Sequence, residues 1–188
     1  FSLPEKIAPE ISPDGSCVAY LAPSNGVLNI WLYDRASKTE RVLTRDAGRG
    51  IHFYAWAPHG KSVLFLQDQG GNENWHLYQI ALAGGAAHDL TPFDGVQARV
   101  LMIDKHFPDV ILIELNKDNA SRHDVYRLDL RTGALELAAR NDGQVSDWIV
   151  DAAMKVRGAF MARPEGGHDV LIRDSETAPW RKALSWGV

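Results

Sequence analysis

Four stretches of this 188-residue chain carry one short pattern at nearly equal spacing. They are Ile30-Trp31-Leu32-Tyr33-Asp34-Arg35, Leu77-Tyr78-Gln79-Ile80-Ala81-Leu82, Val125-Tyr126-Arg127-Leu128-Asp129-Leu130 and, more weakly, Val170-Leu171-Ile172-Arg173-Asp174. With Trp31, Tyr78, Tyr126 and Leu171 taken as equivalent, the offsets are 78−31 = 47, 126−78 = 48 and 171−126 = 45. A steady period in this range marks a repeat architecture. Other landmarks keep the same step. Pro58-His59-Gly60 follows Pro13-Asp14-Gly15 by 60−15 = 45, and Thr91 follows Thr44 by 91−44 = 47.

Within each unit the order is strand, Pro/Gly turn, strand, polar loop, aromatic strand, turn and short strand. Pro-Asp-Gly supplies the turn chemistry: Pro presets φ, Asp bonds back to the backbone, and Gly accepts a positive φ. No segment shows a helical period over ten or more residues. Four short strands per unit of about 45 residues are the sequence form of a β-propeller blade. The fold expected is therefore all-β: about four four-stranded antiparallel blades, approximately 8–46, 51–92, 96–141 and 145–186, forming one partial propeller over 1–188. A β-sandwich of evenly spaced strands is the rival, and the matching turns count against it. In this reading residues 1–9 are an entry segment, and the stretch from Pro23 to Gly26 breaks the second strand. A ring of blades hides its edges by closure, and four blades are at the low end for that. The chain is thus expected to be part of a seven- or eight-bladed ring, or to cover its edges with a partner chain.

Composition narrows the partners. Hydrophobic residues make up 45% and charged residues 23%, which are globular proportions. The net charge is −4 with both signs interspersed, so no basic stripe points to nucleic acid. No apolar run approaches the ~18 residues that would cross a bilayer, and no membrane partner is expected. Cys17 is the only cysteine, which rules out a disulfide framework and Cys-based zinc patterns. A cytoplasmic location fits, and so does a disulfide-free periplasmic one. The chain starts at Phe1 rather than Met, which leaves room for a removed leader. Seven histidines show neither a His-Glu-x-x-His pattern nor close pairing, so neither metal nor cofactor is expected.

Three stretches together resemble a known family. Ile11-Ser12-Pro13-Asp14-Gly15, the run from Gly70 to Tyr78 (Gly-Gly-Asn-Glu-Asn-Trp-His-Leu-Tyr) and the run from Leu90 to Arg99 are similar to the N-terminal propeller of the prolyl oligopeptidase family of serine peptidases. The likeness is strongest to its acylaminoacyl-peptidase-like branch, and the run from His123 to Gly133 fits the same pattern. The resemblance implies a non-catalytic propeller joined to a C-terminal α/β-hydrolase domain, gating access for peptide substrates. Homo-oligomers would be compatible with it. The alternative is a stand-alone propeller that serves as a binding scaffold. The chain holds no Gly-x-Ser-x-Gly nucleophile elbow, so no catalytic residue is assigned and the hydrolase domain is expected to lie outside it.

The substrate-binding candidates are Glu73, Arg99 and Arg122. Glu73 sits between two asparagines in a loop that could meet a substrate amine, as propeller glutamates of some relatives do; the plainer reading is that Asn-Glu-Asn caps the loop. Arg99 could reach a substrate carboxylate from an innermost strand; the plainer reading is an ion pair with a neighbouring blade. Arg122, beside His123, falls in the third unit's counterpart of the Glu73 loop, where simple exposure is the plainer reading. His59 is read as a turn residue standing in for Asp14.

Overall fold

The computed structural model describes residues 5–143 and 145–187. Sixteen strands form four separate antiparallel sheets of four, each in sequence order. The first holds β1 (Ile7–Ile11), β2 (Cys17–Ser24), β3 (Val27–Asp34) and β4 (Thr39–Val42). The second holds β5 (Phe53–Trp56), β6 (Ser62–Gln67), β7 (His76–Ala81) and β8 (His88–Asp89). The third holds β9 (Ala98–Met102), β10 (Val110–Leu115), β11 (Asp124–Asp129) and β12 (Leu135–Ala139). The fourth holds β13 (Val145–Val150), β14 (Val156–Ala162), β15 (His168–Ile172) and β16 (Arg181–Trp186).

The apolar runs of the second strands follow from burial on both faces. Successive side chains leave a strand on opposite sides. On β6, Val63 and Phe65 pack with Ala19, Leu21 and Ile30 of the first sheet, whereas Leu64 packs with Ile111 and Ile113 of the third. On β10, Ile111, Ile113 and Leu115 join the core shared with the second sheet, whereas Leu112 packs with Trp148 and Val156 of the fourth. A strand covered on both faces has no solvent side to make polar.

Polar groups repeat with the strands. Ile30 N–H donates to Thr44 Oγ1 and Leu77 N–H to Thr91 Oγ1, both at 2.9 Å. The carbonyls of the same two residues accept from Leu43 and Leu90, at 2.7 and 2.8 Å. The two threonines thus do one job: each satisfies a buried third-strand amide where the fourth strand ends. The turns repeat as well. Gly15 N–H donates to Ser12 O and Gly60 N–H to Ala57 O, each at 2.8 Å. Asp14 Oδ1 accepts from Ser12 Oγ (2.6 Å) and Ser16 N–H (3.0 Å), and these bonds hold its carboxyl at about 2. In the second unit His59 Nδ1 accepts from Lys61 N–H at 3.0 Å, so an imidazole does the work of that carboxylate.

Two local readings need correction. Residues 7–11 are not merely an entry segment but the strand β1, which pairs with β2 through a bulge between Ile7 and Glu10. Pro9 is tolerated there because β1 is an edge strand, where a missing N–H costs no ladder bond. Nor does Pro23 break β2, which runs to Ser24 opposite Val27. The turn is only Asn25-Gly26, with φ of 51° and 80°, the left-handed pair that a two-residue hairpin requires.

Side chains also stitch the sheets together. The Tyr54 hydroxyl on β5 donates to the carbonyls of Ala8 and Ala19 in the first sheet, 2.9 Å from the latter. Trp56 Nε1 donates to Glu10 O at 3.3 Å. Arg173 is buried against the Trp180 ring, 4.4 Å from its centre, and donates to Val156 O, Glu176 O and Ala138 O, the last in the third sheet. The four sheets do not close into a ring, and the fourth leaves Leu184 63% and Trp186 44% exposed.

Ile113, fully buried in the core between the second and third sheets, reports on this packing. Ile113→Ala is expected to cost about 2–5 kcal/mol in chemical denaturation. A loss below about 1 kcal/mol would show that the two sheets do not depend on each other.

Candidate functional site

Because strands alternate in direction, the hairpins joining second to third strands share one end of the molecule with the connections from one sheet to the next. The loops 68–75 and 116–123 and the connections 90–97 and 140–143 therefore cluster there. All three candidate residues lie at this end.

The loop carrying Glu73 is clamped from both sides of the seam between the second and third sheets. Asp68, 7% exposed at the end of β6, accepts from Glu73 N–H and from Arg49 Nη1, each at 3.1 Å. Arg49 in turn lies over the Trp75 ring, 5.9 Å from its centre, and against Gly71, where an added Cβ would come within 3.1 Å of Nη1. From the third sheet, Gln97 Nε2 donates to Glu73 O at 3.0 Å and Ala98 N–H to Trp75 O at 2.7 Å. Glu73 itself has φ of +59°, a conformation non-glycine residues adopt at a cost. Its side chain is exposed and takes no part in these bonds. The capping role belongs to Asn72, whose Oδ1 accepts from Asn74 N–H at 3.0 Å. Asp68 and Gln97, which hold the loop, carry no sequence signal of their own: each is one polar residue among many, and its role appears only when segments 29 residues apart in sequence meet.

Arg99 is exposed on β9, the first strand of the third sheet, and pairs with Val125's neighbour Glu114 across the ladder. Its side chain makes no hydrogen bond or ion pair among the described residues, so the expected ion pair with another blade is not formed there. Burial pushes the Glu114 carboxyl above its usual range; Arg99 opposes this and Asp147 adds to it. Beside Arg99 lies a cavity of about 280 Å³, bordered by Phe53 and Leu66 of the second sheet, by Trp75 and by Ala98. Its surface is mostly apolar, with His52 and Gln97 at its edges.

Arg122 lies one seam further on. Its guanidinium rests on Gly143, where a Cβ would fall 2.7 Å from Cζ, so the third loop is laid against the connection to the fourth sheet. The next residue, His123, has a buried Nε2 with no partner among the described residues, and burial, reinforced by Arg99, pushes its pKa down. The structure therefore places Glu73 and Arg99 along one seam and Arg122 on the next. No group of three or more His, Cys, Asp or Glu side chains suited to a metal occurs among the described residues.

The stacked four-stranded sheets, with their repeated turns and threonine bonds, define the chain as a segment of a β-propeller. No protein-family model matches it. It is 39% identical over 183 residues to dipeptidyl aminopeptidase BIII of Pseudoxanthomonas mexicana, covering 97% of this chain and 26% of that protein. A solved prolyl endopeptidase superposes with a TM-score of 0.69 at 14% identity, over 94% of this chain and 28% of the other. TolB of Acinetobacter baumannii superposes with a TM-score of 0.59 at 20% identity, over 97% of this chain and 44% of the other. The chain belongs to the prolyl oligopeptidase family, as part of its propeller. It spans about a quarter of the length of the curated relatives it matches.

Two outcomes follow from the site geometry. Glu73→Gly removes the cost of the left-handed backbone and is expected to raise stability by up to about 1 kcal/mol in denaturant titration; a marked loss would mean that the Glu73 side chain itself holds the loop. Glu114 has its pKa raised in the folded protein, so its ionisation opposes folding. The protein is fully stable in this respect below the unfolded value of about 4.3 and loses stability as pH rises through the folded value. Glu114→Gln should therefore stabilise at pH 7 relative to wild type, with the difference vanishing near pH 4. A gain of equal size at both pH values would sink this account.

Proposed function

We propose that this chain is the non-catalytic propeller portion of a serine peptidase that acts on short peptides, as a dipeptidyl peptidase or an acylaminoacyl peptidase does. The propeller limits what reaches the active site and supplies one wall of the substrate cavity. Catalysis falls to an α/β-hydrolase domain of the same protein. The observation that carries this reading is the 39% identity to a dipeptidyl aminopeptidase along 97% of the chain. That relative's name favours release of dipeptides over removal of acylated residues.

Within this reading, Glu73 meets the substrate's free amine. An exposed carboxylate on a loop fixed by Asp68 from one sheet and by Gln97 from the next costs little further ordering when a ligand binds. Arg99 and Arg122 supply positive charge along the same end of the blades.

Expression from the natural reading frame and assay on a dipeptidyl chromogenic substrate, with and without an N-terminal acetyl group, tests the proposal. Hydrolysis of the free-amine substrate is expected, sensitive to serine-directed inhibitors. Glu73→Gln should raise KM for it several-fold with kcat little changed, as loss of a ground-state contact requires. A protein that hydrolyses neither substrate but binds other proteins would favour the scaffold reading instead.

A further inference from the structure

The cavity beside Arg99 is unfilled by the described residues. It lies where the first strands of the second and third sheets approach each other, and apolar surface from Phe53, Leu66, Trp75 and Ala98 borders it. Phe53 is 40% exposed, an aromatic ring left open where comparable rings of this chain, Tyr54 and Phe65, are buried. At about 280 Å³ the cavity falls just below the range that holds drug-sized ligands, and it suits a single large side chain. Arg99 borders the same cavity, exposed and without a partner among the described residues. Its cross-strand neighbour Glu114 forms no ion pair with it within 4.0 Å. An apolar hollow with a free guanidinium beside it matches an apolar residue that carries a carboxylate.

We propose that this cavity binds the C-terminal residue of a peptide, its apolar side chain against Phe53, Leu66 and Trp75 and its α-carboxylate on Arg99. The proposal rests on the reading of the chain as part of a peptide-handling protein and adds a site for the end opposite the amine. A fixed contact to a free C-terminus would admit peptides of limited length and reject internal segments of long chains.

The test is equilibrium binding to the full-length protein, by calorimetry or NMR titration, of N-acetylphenylalanine, its C-terminal amide and N-acetylglycine. The free acid is expected to bind roughly tenfold more tightly than the amide, the scale of one charge-assisted contact. It should also bind more tightly than the glycine derivative, which leaves the hollow empty. Arg99→Gln should abolish the preference for acid over amide, and Arg99→Lys should restore part of it. Phe53→Ser should reduce the preference for phenylalanine over glycine while keeping that for the acid. Both side chains are exposed, so neither change empties the core. Equal binding of acid and amide, a preference that survives Arg99→Gln, or no binding of any of the three would overturn the proposal. Because the readout is binding, a protein that hydrolyses peptides yet shows no acid preference refutes this site alone. One that binds the acid but hydrolyses nothing refutes the peptidase reading alone.

Discussion

The packing of one sheet's central strands against both neighbouring sheets is what the rest of this structure depends on. Leu64 cannot be buried without the third sheet, nor Val63 and Phe65 without the first. An isolated four-stranded sheet of this sequence would expose one apolar face or the other, and each face is worth several side chains at about 1.5–3 kcal/mol apiece. Stability is therefore shared between neighbours, as in other stacked-repeat proteins.

That arrangement leaves the ends of the blades outside the cores. Loops between second and third strands contribute little to the cores, so they can vary, but those of the second and third sheets are laid on the connection to the next sheet. Asp68 and Gln97 fix the Glu73 backbone from two different sheets. Arg122 does the equivalent at the next seam by resting on Gly143. The result is a loop surface tied to two sheets at once, whose conformation depends on the sheets staying in register. A substitution in the core between the second and third sheets should thus reach the Glu73 loop without touching it.

The blades were legible in the sequence because their signals are local. The third-strand pattern recurs about every 45–48 residues, and in the first two units a Pro-x-Gly turn and a threonine after the fourth strand recur with it, each with its own short-range chemistry. His59 could be matched to Asp14 because both serve the same turn. The failures at β1 and Pro23 are local signals overridden by pairing: Pro9 is harmless on an edge, and Pro23 is carried along by a hairpin closed only at Asn25-Gly26. The seam was not legible. Asp68 and Gln97 are 29 residues apart and become partners of one loop only after two sheets have packed. The same holds for the hollow between Phe53 and Ala98, which belongs to no single segment.

This division has a consequence for how such a protein divides its labour. Groups that must move electrons or protons need a site held to within a fraction of an ångström by their own packed shell. Groups that only choose a ligand can sit on a surface shared by two repeats, where a change in one strand alters the shape without dismantling the fold. The site proposed at Arg99 and Phe53 would be of that second kind. Each is exposed at the edge of its sheet, each lies on the first strand of a different blade, and the space between them exists only because the blades are neighbours. Specificity placed at a seam can therefore be retuned by substitutions on either side of it, with the cores that hold the blades together left intact.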